Sequence, residues 1–160
     1  MLEILEDAPV PIPAKTKDAE MGKVVVELEL INAEDETLNR HGHLKAEQIR
    51  RIKIPALVDT GATGLSLSED TIQKLGLSVI KEVTSHFANG QSAKRKVYGS
   101  VTINVMGRSA ITWVVANPKN VPALMGQVPL ELLDLMVDPR NQRLVPGHPE
   151  SPGMAVYESY

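Results

Sequence analysis

The chain has 160 residues, with 17 Lys and Arg against 20 Asp and Glu, for a formal net charge of −3. That is one domain's worth of sequence, long enough to bury roughly 70% of its unfolded surface without covalent staples. Cysteine is absent, which excludes disulfides, thiolate metal sites and a cysteine nucleophile, and the mild acidity lacks the electrostatic footprint of a nucleic-acid binder.

The first residues, Met1 to Asp7, hold neither a basic stretch nor a sustained apolar run, and 18 consecutive apolar residues occur nowhere. A cytoplasmic protein with no membrane contact is the expectation. Residues 1–22 carry Pro9, Pro11 and Pro13 among charges and read as a flexible arm. Residues 146–160, with Pro146, Pro149 and Pro152, read as a proline-rich tail. Between them lies a candidate domain of residues 23–145.

In chain order, Val24, Val26, Leu28 and Leu30 alternate with Val25, Glu27 and Glu29, the period-2 pattern of a half-buried strand. Ile52, Ile54, Ala56 and Val58 repeat the pattern, and Pro55 argues for an edge or a bulge. Between the two strands, Asn32 to Arg50 is a long polar connection, with a short helix expected around Lys45 to Arg50. Ser66 to Leu75 reads as a helix, because Ser66 and Glu69 fit a capping box and Gly76 stands at the position of a C-terminal glycine cap. A strand is expected over Ser78 to Phe87, then a turn at Ala88-Asn89-Gly90. Val97 to Val105 and Ser109 to Ala116 form a second hairpin around Met106-Gly107-Arg108. A helix is expected over Val128 to Asp134 with Pro129 in its first turn, and two short strands, Leu135 to Val137 and Arg143 to Val145, flank a turn at Asp138-Pro139-Arg140-Asn141. About eight strands and two short helices amount to an all-β architecture.

The stretch that carries chemistry is Ala56-Leu57-Val58-Asp59-Thr60-Gly61-Ala62-Thr63, an apolar strand running directly into an acid, a hydroxyl residue and a glycine. A carboxylate at the mouth of an apolar strand loses part of its solvation, and Gly61 lets a ligand approach the backbone closely. The bare tripeptide is also an ordinary turn sequence. Its neighbours decide the matter. The Asp59-Thr60-Gly61-Ala62 loop, a hairpin tipped by Asn89-Gly90, and Ala123-Leu124-Met125-Gly126 before a short helix occur in an order that resembles the retropepsin-like, single-lobe aspartic proteases. The Leu135 to Leu144 run resembles the ending of many cellular members of that family.

The resemblance implies an acid protease barrel with one or two short helices, active as a C2 homodimer. It implies hydrolysis of peptide bonds in a peptide or protein substrate, by a water held between two Asp59 carboxylates, one per subunit. No cofactor and no metal are called for. Asp134 and Asp138 lack a following Thr-Gly or Ser-Gly, and Asp70-Thr71 continues into Ile72, so the second carboxylate comes from a second copy. Thr60 inherits a hydrogen bond across the two-fold axis, and Gly61, Ala62 and Thr63 border the substrate. Ala88, Asn89 and Gly90 tip the flap, while Val121, Pro122, Ala123, Leu124 and Gly126 line or support an apolar subsite. Many viral members have an acid and an arginine at the positions of Thr63 and Gln127, so both partners of that pair are exchanged here. That fits a cellular or bacterial subgroup. The alternative is an inactive module that keeps the fold for peptide binding or dimerisation.

Other patterns are weaker. His41 and His43 read as solvated loop histidines. Gly61 to Gly64 matches a nucleic-acid-binding GXXG loop in letters only, since an acid precedes it. Ser66 and Ser68 read as helix caps rather than nucleophiles. Lys94, Arg95 and Lys96 read as a solvated strand face, with contact to acidic substrate side chains as the functional option.

Overall fold

The computed structural model describes residues 23–150. The arm at 1–22 and the tail from residue 151 onward lie outside the described residues. Nine strands are described: β1 (Val24–Asn32), β2 (Arg51–Val58), β3 (Leu65–Leu67), β4 (Ser78–His86), β5 (Ser92–Val105), β6 (Arg108–Ala116), β7 (Leu124–Met125), β8 (Leu135–Asp138) and β9 (Arg143–Pro146). Three α-helices accompany them: α1 (Ala33–Arg40), α2 (Glu69–Lys74) and α3 (Gln127–Leu133). The chain is mostly β, as the alternation pattern predicts.

Seven strands form one sheet in the order β1-β2-β7-β3-β6-β5-β4, and β1 also pairs with β5, so six of them close into a barrel and β4 hangs outside on β5. Closure comes from Glu29 to Asn32 lying opposite Val101 to Asn104. β8 and β9 make a separate two-stranded ribbon. The inward residues of β1, Val24, Leu28 and Leu30, meet Leu65, Leu67, Ile103, Val114, Met125 and Leu133 in one core. Pro55 sits on a stretch of β2 where only β1 is a neighbour, because β7 reaches no further than Leu57 and Val58. The missing N–H is tolerated there.

Four expectations need correction. The helix expected over Ser66 to Leu75 begins only at Glu69: Ser66 lies buried in β3, and Ser68 is the cap, its hydroxyl accepting from the Thr71 N–H at 3.1 Å. Three apolar-flanked residues, Leu65 to Leu67, are extended by pairing with β6 and β7, which overrides local helix preference. At its other end α2 stops as expected, with Gly76 at φ +65° and the Leu77 N–H bonded back to the Ile72 carbonyl.

The polar connection folds differently from its sequence reading. Its helix is α1, at Ala33–Arg40, while Ala46–Gln48 forms only a 3-10 turn. Asn32 is buried and serves twice: its Oδ1 accepts from the Asp35 N–H, and its Nδ2 donates to the Leu75 carbonyl at 2.8 Å. Asp35, also buried, takes two side-chain hydrogen bonds from Arg50 at 2.9 and 3.0 Å and a third from the Arg50 N–H. The Arg50 guanidinium lies where a Cβ on Gly76 would stand, so insertion and α2 are locked together.

The strand returning from the first hairpin starts at Ser92 rather than Val97, lengthening the ribbon that projects from the barrel. Arg108 belongs to β6 rather than to the turn. It is 5% exposed, and its guanidinium donates to the carbonyls of Leu133, Asp134 and His148. No helix among the described residues is long and apolar enough to cross a membrane.

Candidate active site

Asp59 follows directly on β2, and the loop it opens is laced to a segment sixty residues away. The Leu57 N–H donates to the Ala123 carbonyl at 2.8 Å and the Asp59 N–H to the Met125 carbonyl at 3.0 Å, the two rungs of the parallel β2–β7 pair. On the far side of the loop, the Gly126 N–H donates to the Gly64 carbonyl, the Gln127 N–H to the Ala62 carbonyl and the Val128 N–H to the Thr63 carbonyl, each at 2.9 Å. Residues 59–64 are thus pinned at both ends by residues 123–128. Gly126 is the closest approach: a Cβ there would sit 2.5 Å from the Ala62 oxygen and 2.7 Å from the Gly64 oxygen, both backbone atoms that cannot swing away.

Inside the loop, the Gly61 N–H donates to Asp59 Oδ1 at 2.9 Å and the Ala62 N–H to the Asp59 carbonyl at 3.0 Å. One carboxylate oxygen is therefore oriented by backbone, and the other has no hydrogen-bond partner among the described residues. Asp59 and Ala62 are half-buried, whereas Thr60, Gly61 and Thr63 are exposed. The Thr60 hydroxyl has no hydrogen-bond partner among the described residues. Gln127 donates to Glu131 at 3.1 Å, so the exchanged Thr63 and Gln127 side chains do not pair with each other.

Of the apolar residues expected beside the loop, Ala123 and Leu124 are paired to β2 just before Asp59. Ala123 leads into β7, which Leu124 begins; before them the Val121 N–H donates to the Pro118 carbonyl at 3.2 Å, and Asn117 Nδ2 donates to the Pro122 carbonyl at 2.6 Å. Asn117 is itself buried, its N–H bonded to the Leu67 carbonyl at 2.7 Å. Sequence reading missed it; the signal was a lone amide between the apolar run of β6 and Pro118. Ala88, Asn89 and Gly90 form the tip of the β4–β5 hairpin, closed by the Gly90 N–H to the Phe87 carbonyl and the Gln91 N–H to Asn89 Oδ1. No hydrogen bond among the described residues joins that tip to the Asp59 loop. His41 and His43 stand exposed after α1.

A family model described as "gag-polyprotein putative aspartyl protease" matches residues 47–131, more than half of the chain and the whole span from β2 to the Gly126 contact. No curated protein matches the chain.

Proposed function

The chain belongs to the gag-polyprotein aspartyl protease family, and we propose from that membership and the loop geometry that it is an aspartic endopeptidase working as a homodimer. The observation that carries the reading is the Asp59 loop: a half-buried carboxylate oriented by the Gly61 N–H, beside an exposed Thr60 hydroxyl without a partner. One copy of the chain supplies one such carboxylate, and a two-fold axis at the loop supplies the second.

In the dimer, two Asp59 side chains about 3 Å apart share a single proton, because both cannot ionise at that spacing. The ionised one takes a proton from a water and directs its oxygen at the scissile carbonyl carbon. The protonated one donates to the carbonyl oxygen and stabilises the tetrahedral intermediate. Collapse breaks the C–N bond, and the amine leaves with the proton taken from the water. Thr60 hydrogen-bonds across the axis and fixes the angle between the loops. The substrate lies extended along Gly61, Ala62 and Thr63, with an apolar side chain against Val121, Pro122, Ala123 and Leu124, and Gly126 keeps the loop in place beneath it. The β4–β5 hairpin, tipped by Ala88, Asn89 and Gly90, closes over it as a flap and excludes bulk water.

Asp59→Asn tests the reading. Peptide cleavage, followed by mass spectrometry on a mixed peptide pool, should vanish while light scattering still reports a folded dimer. Cleavage retained in that variant would sink the assignment. The shared proton places the optimum on the acidic side, and activity per chain should fall on dilution below the dimer dissociation constant.

A further inference from the structure

The hairpin carries four cations, Lys81, Lys94, Arg95 and Lys96, against one carboxylate, Glu82, in a chain whose net charge is −3. Strand alternation sorts them. Lys81, Val83 and Ser85 share one face with Ala93, Arg95 and Val97; on it Val83, Ser85, Arg95 and Val97 are partly or wholly buried and Lys81 and Ala93 exposed, while Glu82, Thr84, His86, Lys94 and Lys96 on the other face are all exposed. Lys96 lies opposite Glu82, an ordinary cross-strand pairing of charges. Arg95 has no such compensation. Its register partner is Val83, and no carboxylate among the described residues pairs with it.

What Arg95 does have is one hydrogen bond, from Nη2 to the carbonyl of Ala116 at the end of β6. A guanidinium offers five N–H donors, so four remain on a partly buried group. Arg108 shows the contrast: its buried guanidinium is surrounded by three carbonyls and lies 3.5 Å from Asp134. Ala116 leads straight into Asn117, which bonds to the Pro122 carbonyl, so the Arg95 guanidinium is tied to the start of the segment that runs to Val121 and Leu124.

We propose that Arg95 is a specificity-determining residue, receiving the carboxylate of an Asp or Glu side chain of the bound peptide between the hairpin and the 117–122 loop. The proposal rests on the peptide-binding reading above. The Ala116 bond occupies one N–H, leaving an edge whose paired N–H groups match a carboxylate. Partial burial makes that pairing stronger than an exposed one.

The test uses the full chain and a peptide library in which each position in turn is Glu or Gln. Cleavage is read by mass spectrometry, and binding of the same peptides to Asp59→Asn is read by fluorescence anisotropy, which needs no chemistry. At one position Glu should be preferred over Gln by about tenfold, the size expected of a charge-assisted hydrogen bond. Arg95→Gln should abolish the preference, Arg95→Lys should keep part of it, and Arg95→Glu should reverse it toward Lys, with circular dichroism confirming that each is folded. In the unaltered chain, raising the salt concentration should narrow the preference. No Glu preference in either readout, or one that survives Arg95→Gln, overturns the proposal. An Arg95-dependent binding preference without cleavage upholds it and sinks the protease reading; cleavage indifferent to Glu does the reverse.

Discussion

The Asp59 loop and the β4–β5 hairpin are both excursions from the barrel, yet they are held by different means. The loop is tied by backbone hydrogen bonds to residues 123–128, with its flanking strands in the core. Among the described residues the hairpin is paired only with itself beyond Val97 toward its tip, its outer face is exposed, and the side-chain hydrogen bond that ties it to the body is that of Arg95 to Ala116. Backbone ties to a buried strand fix position to the precision that the role proposed for Asp59 needs. A ribbon with so few ties to the body among the described residues can lift, as the proposed flap role requires.

The sharpest way to break this contrast is Gly126→Ala. A Cβ 2.5 Å from a backbone oxygen forces the 59–64 loop off the 123–128 segment. Thermal or urea unfolding should show a loss of about 3 kcal/mol, and cleavage should fall about 100-fold through misplacement of Asp59. An unchanged rate would mean the loop's position does not depend on this contact.

A smaller effect is expected at the insertion, which side chains hold rather than backbone. Asp35→Ala removes the acceptor of Arg50, itself half-exposed and able to turn to water, so a cost of about 2 kcal/mol is expected in urea unfolding. The same pair has a pH signature. The Arg50 hydrogen bonds hold the Asp35 carboxyl below its ordinary value of 3.8. A depressed folded value gives stability that is full above 3.8 and lost as pH falls toward the folded value. Asp35→Asn should therefore flatten the acid limb of the stability curve below about pH 4 and leave its shape near neutrality alone.

The smallest effect should fall on the hairpin. Val83→Ala, on its half-buried face, should shift global stability by about 0.5 kcal/mol or less. A larger loss would show that the ribbon is part of the cooperative core rather than an appendage.

Much of the barrel was legible because strands advertise themselves by alternation, as in Val24 to Leu30 and Ile52 to Val58. The loop and the Gly126 segment were legible because each is a contiguous run of unusual residues. What escaped depends on partners far apart in sequence. Ser66 and Leu67 read as a helix start until β6 and β7 flank Leu65 to Leu67. Helix α1 has no apolar stripe; it stands on Asn32 and on an ion pair fifteen residues long in sequence, which no local window detects. Arg108 beside a Met106-Gly107 turn looks like solvent-facing punctuation, and only the arrival of Leu133, Asp134 and His148 makes it a buried hub.

The placement of β7 also sets an order of events during synthesis. Leu124 and Met125 slot between β2 and β3, strands made some sixty residues earlier, and among the described strands no other lies between those two. A nascent chain that has not yet delivered Gly126 has every residue of the Asp59 loop but nothing to pin it. Order in the Asp59 loop therefore arrives late, after nearly all of the barrel strands have been made, and a chain interrupted before that point carries the motif without the hydrogen bonds from residues 126–128 that pin it.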